Sequence, residues 1–276
     1  MTMAAGPLPK TGWKDGPLPV WKPVGPTSNS IALAWSKNCG TVVGHAGNLD
    51  PMAEGVLVLL IGPEANRAQA QYKAAGKEYR FDLLFGFETD SYDLLGEVTR
   101  KAPYSLGRIS PKRLGRIIRR LPGRMRQTYP PFSYPKVGGR SLLWWARHGR
   151  MKEIRPPTRA VTILRAELRT IRSIGKASLR RRIVSEIRKV RGDFRQERIL
   201  GKWKAALAAH PNARFAIARI HIQCTAGTYI RGLSCLFGRR FGLPALALRI
   251  RRTRSGEFRL SDCLKPEESE GTEKGG

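Results

Sequence analysis

Six consecutive apolar residues, Val56 to Ile61, stand between two glycines and follow a loop, residues 44 to 55, that is dense in Gly, Asn, Asp and Pro. A run this short, rich in Val and Leu and bounded by turn residues, reads as a buried strand. It is the longest apolar run in the chain and falls far below the ~20 residues a membrane-spanning helix needs. The N-terminus carries no signal-peptide core either, so no membrane partner is expected. A buried strand needs a core around it, and 41% hydrophobic residues with six Trp can supply one. The 276 residues allow one large domain or two small ones, and the absence of an obvious repeat favours one main domain.

The second constraint is charge. Fifty-one Lys and Arg against 21 Asp and Glu give a net charge of +30, which attracts polyanions, and nucleic acid is the stronger choice over anionic membrane. The excess is uneven. Val98 to Lys152 holds 15 Lys/Arg and no acid, and Ile171 to Lys204 holds 12 against three. Either stretch reads as a nucleic-acid-facing surface or as solvated helix faces. The four cysteines, at 39, 224, 235 and 263, form no C-x-x-C pair and have no His at zinc-finger spacing. No metal, cofactor or disulfide framework is implied, and a reducing, cytoplasmic setting is expected.

Along the chain, residues 18–25 read as a strand and turn, and Ser28 is placed to cap a helix through about Lys37. Tyr79, Phe81, Leu83 and Phe85 alternate as in a half-buried strand. Ser110-Pro111 opens a helix with Leu114, Ile117, Ile118 and Leu121 on one face and Lys112, Arg113, Arg116, Arg119 and Arg120 on the other. A Pro-rich turn at 129–136 leads to a helix from about Ser141 to Gly149. Strands are expected at about 160–171 and 215–224. Between them, Leu179, Ile183, Ile187 and Val190 recur at helical spacing behind a Ser178 cap, as in an inserted helical hairpin at about 172–213. A last helix is expected from near Thr228 to Gly242, then a strand in ALALRIRR. Residues 1–17 read as an N-terminal extension, 18–264 as the main domain and 265–276 as a disordered tail.

The chemical signal lies in GHAGNLDPMAEG, where Asp50 follows a glycine-rich turn and precedes Pro51. Taken alone, Asp50 is either a turn residue bonding its own backbone or a catalytic carboxylate. His45 is either structural or an acid-base group. Arg231, early in a helix, could lay a guanidinium fork against a buried carboxylate and hold it ionised.

Four separated segments, in order, and a leading fifth resemble the TruB family of pseudouridine synthases. GHAGNLDPMAEGVLVLLIG is similar to its G-H-x-G-x-L-D-P-x-A-x-G-V-L block, and KEYRFDLLFGFETDSYDLLGEV to its K-x-Y strand with the following T-D-T/S-x-D-x-x-G. YPPFSYPKVGGRSLLWWARHG and CTAGTYIRGLSCLFGRRFG resemble its P-P-x-x-S-A-x-K and S-K-G-T-Y-I-R-x-L segments, and WKPVGPTSN its K-P-x-G-x-T-S-N. The resemblance spans residues 21 to about 259. It implies an α+β fold, with a mixed, largely antiparallel central sheet flanked by helices and an active-site cleft across it.

The implied activity is isomerisation of uridine-55 in the T-loop of tRNA to pseudouridine. Asp50 would be the nucleophile, Arg231 its partner and Tyr79 the aromatic platform for the flipped base. His45 would help displace the uridine from the RNA stack, Lys22 would lie beside the site and Ile250 near the base. Lys136 and Arg147 would contact RNA. On pattern alone Tyr79 reads equally as a core residue, Ile250 reads first as plain core packing, and Lys22 reads as a surface turn lysine.

Asn48, Ala226, the SYPK sequence and Trp144-Trp145 depart from the family pattern, so the RNA grip would differ in detail. The C-terminal RNA-binding (PUA-like) domain of bacterial relatives is expected to be missing, because the chain ends soon after Leu260. The basic insertion at 172–213 is expected to supply tRNA contacts in its place. The expected partner is the tRNA T-arm, with no obligate protein partner and a monomeric state. The alternatives are the same chemistry on another RNA, or a non-catalytic RNA-binding or RNA-folding protein on this fold.

Overall fold

The computed structural model describes residues 14–102, 109–208 and 213–265. Most of the expected N-terminal extension, nearly all of the expected tail and residues 209–212 of the insertion lie outside them.

The first half of the chain runs β1 (Gly16–Lys22), α1 (Ser28–Cys39), β2 (Val43–His45), β3 (Ala53–Ile61), α2 (Gly62–Arg67), α3 (Gln69–Ala74), β4 (Lys77–Phe85), β5 (Phe87–Thr89) and β6 (Val98–Lys101). There follow α4 (Pro111–Arg119), β7 (Gly123–Thr128), β8 (Lys136–Val137), β9 (Arg140–Ser141), α5 (Leu142–Arg147) and β10 (Thr158–Gly175). The last part is α6 (Lys176–Arg188), α7 (Gln196–Ala208), β11 (Arg214–Cys224), α8 (Ile230–Phe241), β12 (Ala245–Ser255) and β13 (Phe258–Arg259).

All nine residues of β3 are buried, as the apolar run predicts. The main sheet is ordered β1-β3-β12-β4-β11-β10-β7, with β2 added to β3 and β13 to β12. Only β12 with β3 is a parallel pair, so the sheet is mixed and largely antiparallel, as expected.

Strand alternation distributes the core between two faces. Phe81, Leu83 and Phe85 of β4 turn to one face, where they meet Leu114 and Ile118 of α4 and Phe237 and Phe241 of α8. Leu84, Phe215, Ile217, Leu246 and Leu248 turn to the other, where Leu179, Ile183, Ile187, Ile199 and Trp203 of α6 and α7 cover them. Each such large apolar side chain contributes about 1.5–3 kcal/mol of burial free energy. The α4 cations Lys112, Arg113, Arg116, Arg119 and Arg120 are all exposed, as the helical period predicts.

Two expected caps are corrected. Thr27, not Ser28, caps α1 by accepting from the Ser30 N–H at 3.0 Å, while Ser28 is fully buried. Gly175 occupies the N-cap of α6, and Ser178 lies within the helix. Strand β10 also extends beyond its expected end to Gly175, which pairs with Arg214. The inserted helices therefore leave and rejoin the sheet at the tip of one antiparallel hairpin, and the hairpin's register closes beneath them.

Candidate active site

Asp50 lies in the loop between β2 and β3, and almost every peptide around it is tied to something else. The Ser28 hydroxyl accepts from the Leu49 N–H at 2.9 Å and donates to the Leu49 carbonyl at 3.3 Å. Arg252, 1% exposed, donates to the carbonyls of Gly47 (3.2 Å), Asn48 (3.3 Å) and Val56 (2.7 Å). The Gly25 N–H donates to the Pro51 carbonyl at 2.9 Å, and the Lys22 ammonium to that of Ala53 at 2.6 Å. The loop can approach Arg252 this closely because Gly55 has no side chain: at φ 110° a Cβ there would collide with the Arg252 backbone.

The carboxylate so fixed receives a two-point fork from Arg231, Nε to Oδ2 at 2.8 Å and Nη2 to Oδ1 at 3.2 Å. Arg231 is buried at the start of α8. Its remaining N–H groups donate to the carbonyls of Ser91 (2.8 Å), Pro131 (3.1 Å) and Phe132 (3.5 Å), and the Asp93 carboxylate stands 3.8 Å away. Burial works against the Arg231 cation, but the Asp50 and Asp93 carboxylates outweigh it and hold its pKa above the ordinary arginine value. Asp93 bears the reverse effect: burial pushes its carboxyl up to about 6 against the pull of Arg231.

Asp50 opens on a cleft of about 460 Å³. Tyr79 and Ile250 line it, as do Phe132, Tyr229 and the cations Lys73, Lys77, Arg159 and Arg252. Tyr79 and Arg252 face each other across the β4–β12 ladder. Burial raises the Tyr79 phenol pKa, so at neutral pH it presents a hydroxyl and an aromatic face. Tyr229 packs edge-on against Tyr129 at 5.5 Å, and its backbone is clamped by both ends of the Gln127 amide at 2.9 Å. The Arg159 Nε is buried without a hydrogen-bond partner beside this cleft. On the other side of Asp50 is a smaller hollow of about 190 Å³, to which Phe132, Phe194, Arg147 and Arg195 contribute.

Of the residues singled out in the sequence, Asp50, Tyr79, Ile250 and Arg231 come together here. Lys22 does not lie on the surface. It is fully buried under the loop, where burial lowers its ammonium pKa to about 7. His45 sits on β2 with Nε2 2.7 Å from Asn29 Oδ1, and it is not among the residues lining the cleft. Burial, then the Lys73 and Arg252 cations, lower its pKa, so the ring is neutral at pH 7. Lys136 is exposed on the short β8–β9 hairpin, away from the cleft lining. Arg147 reaches the smaller hollow and bonds Asp193 of the inserted hairpin at 2.6 Å. Sequence reading missed Ser28, Ser91, Asp93 and Arg252. Ser91 and Asp93 lie inside the TDSYD motif, while nothing local marks Arg252.

The fold is shared with proteins of known structure. A chain of a Cbf5–Nop10–Gar1 complex superposes with a TM-score of 0.55 at 20% identity, over 91% of this chain and 52% of that one. This chain thus spans about half the length of that protein. The model of the TruB family pseudouridylate synthase N-terminal domain matches residues 38–187. Sequences named tRNA pseudouridine synthase B are similar over most of the chain. That of Bacillus licheniformis is 33% identical over 258 residues, covering 93% of this chain and 70% of the relative. That of Listeria welshimeri is 33% identical over 251 residues, covering 91% and 69%. The chain belongs to the TruB family of pseudouridylate synthases.

Proposed function

We propose that this chain isomerises uridine-55 in the T-loop of tRNA to pseudouridine, with Asp50 as the nucleophile. The observation that carries this reading is the carboxylate of Asp50, forked to buried Arg231 and facing a cleft with an aromatic residue and an apolar residue on its walls. The resemblance of the Asp50 block to the TruB family and the names of the curated relatives support the choice of RNA.

Asp50 is suited to attack the ribose C1′. A carboxylate oxygen bonds to C1′ as the N1–C1′ bond breaks, and the electron pair leaves with the uracil ring. The ring turns over in the cleft between Tyr79 and Ile250, C5 bonds to C1′, and the carboxylate departs with the pair it brought. C5 then loses its proton and N1 gains one, so the product is an isomer of the substrate. Splitting the exchange into two displacements at one centre is the benefit of covalent catalysis. Arg231 aims the Asp50 carboxylate through its two-point fork.

The target base must leave its stack at a cost of a few kcal/mol, which aromatic stacking and phosphate contacts offset. Tyr79 supplies the first, and Lys73 and Arg159 in the cleft, with the exposed α4 cations outside it, supply the second. RNA is the partner the proposed reaction requires, and the likeness to bacterial tRNA modifiers supports a cytoplasmic setting. Among the described residues, no helix is long and apolar enough to cross a membrane.

The test is positional. A tRNA transcript is incubated with the protein, treated with a carbodiimide that marks pseudouridine and read by primer extension. One new stop at position 55, absent when that base is cytidine, is expected. Stops at another uridine would move the target, and none on any tRNA would contradict the proposal.

A further inference from the structure

The turn between α6 and α7 reaches the catalytic loops. The Asp193 carboxylate accepts from Arg147, and the Lys189 carbonyl lies against Gly25, where a Cβ would strike it. Arg195, four-fifths buried, goes furthest. Its Nη1 donates to Asp90 at 2.9 Å and to Glu97 at 3.0 Å, and its guanidinium lies over the Phe132 ring at 4.6 Å. These contacts fall on both supports of Arg231. Asp90 and Glu97 close the turn that contains Ser91 and Asp93, with the Asp90 N–H donating to the Glu97 carbonyl and the Glu97 N–H to the Asp90 carboxylate. The Ser91 carbonyl and the Asp93 carboxylate face Arg231 from that turn, and the Phe132 carbonyl faces it from the other side.

Backbone strain falls in the same place. Among the described residues, the only non-glycine residues with positive φ are Tyr92 (65°), Phe132 (57°) and Arg195 (64°). Bulky side chains avoid this region, and such residues persist where the surroundings over-determine them. One residue of the three sits in the Asp90–Glu97 turn, one carries an Arg231 contact, and the third is the brace between them.

We infer that Arg195, from the turn of the inserted hairpin, is a positioning residue that locks the two strained segments around Arg231 and so holds the fork on Asp50. This rests on the reading of Asp50 and Arg231 as the reacting carboxylate and its partner. The inserted hairpin is then part of the catalytic wall in addition to any role in gripping RNA.

The test compares wild type, Arg195→Ala and Arg195→Lys in single-turnover tritium release from tRNA, alongside tRNA affinity across a salt series and a crystal structure of Arg195→Ala. Arg195→Ala should lower the rate at saturating tRNA at least tenfold, with Kd within twofold and the salt slope unchanged. Arg195→Lys, which keeps the charge to Asp90 and Glu97, should recover at least half of that loss on a logarithmic scale. An unchanged rate, or a loss carried by Kd with a shallower salt slope, would overturn the inference, the latter making Arg195 a phosphate contact. The crystal structure needs no turnover: an opened fork is expected, and one still at 2.8 and 3.2 Å would overturn the inference whatever the substrate. A wild type without turnover would refute the proposed reaction and leave that structural test standing.

Discussion

Replacing Ser28 by Ala removes one oxygen and two buried hydrogen bonds, both to Leu49, the residue before Asp50. The Leu49 N–H then has no partner in a place water cannot reach, since Ser28 is fully buried and Leu49 nearly so. An unsatisfied buried donor costs about 1–3 kcal/mol, and the long bond to the carbonyl adds little, so the expected destabilisation is ~2 kcal/mol. At about 2–4 °C per kcal/mol for a chain near this size, the melting temperature should fall by roughly 4–8 °C. Activity should fall as well, because the freed peptide is the one that aims the carboxylate. A displacement of ~1 Å costs on the order of 100-fold in rate, so a 10- to 100-fold loss in single-turnover tritium release is expected. The assay pairs that rate with urea unfolding and uses Ser30→Ala, an exposed neighbour, as the comparison. A melting temperature within 1 °C of wild type together with an unchanged rate would refute the claim that Ser28 fixes the catalytic loop.

Three further outcomes are expected. The folded protein holds the Asp93 proton up to about pH 6, whereas the unfolded chain releases it near the ordinary 3.8. Between those values the folded state binds more protons, so this group's contribution to stability falls as pH rises, by about 3 kcal/mol in all. Urea titrations at pH 4 and 7 should show that fall in wild type relative to Asp93→Asn, and a pH-independent difference would contradict it. Gly25→Ala sets a Cβ at φ 122° against the Lys189 carbonyl, so unfolding should require at least ~2 kcal/mol less free energy, and urea midpoints equal to wild type would contradict the docking of the inserted turn. Glutamine at Arg180, Arg188, Lys202 and Lys204, all exposed on α6 and α7, should flatten the slope of log affinity for tRNA against log salt by roughly 0.7–0.9 for each phosphate no longer neutralised. An unchanged slope would remove those helices from the RNA interface.

What could be read ahead of the structure was what repeats locally. Strand β3 is legible because six apolar residues in a row have only a buried strand to form, and α4 because Leu114, Ile117, Ile118 and Leu121 keep helical spacing. The ends were harder. Ser28 and Thr27 are both good capping residues, and the choice falls to Thr27 because the Ser28 hydroxyl is held by Leu49, a partner 21 positions away. Strand β10 runs past its expected end because Arg172 and Ser173 continue the ladder with β11, where pairing and not a hydrophobic period holds the strand. Hairpins of two residues a side, such as β8 with β9, carry too few positions for a period to register.

The site divides in the same way. Asp50, Tyr79, Ile250 and Arg231 were reachable through motif resemblance. Arg252 was not: its guanidinium serves carbonyls about two hundred positions away, and its own neighbourhood reads only as a basic strand. The role of Arg195 depends likewise on Asp90 and Glu97, about one hundred positions away, which the chain brings to it only when folded.

The central claim is that Asp50 carries the reaction on a tRNA uridine. The most direct measurement is single-turnover release of tritium from C5 of uridine in a labelled tRNA transcript, comparing wild type with Asp50→Asn at matched RNA binding. Asparagine keeps the shape of the side chain and removes the nucleophilic charge, so release should vanish while binding persists. Release by Asp50→Asn at the wild-type rate would contradict the account.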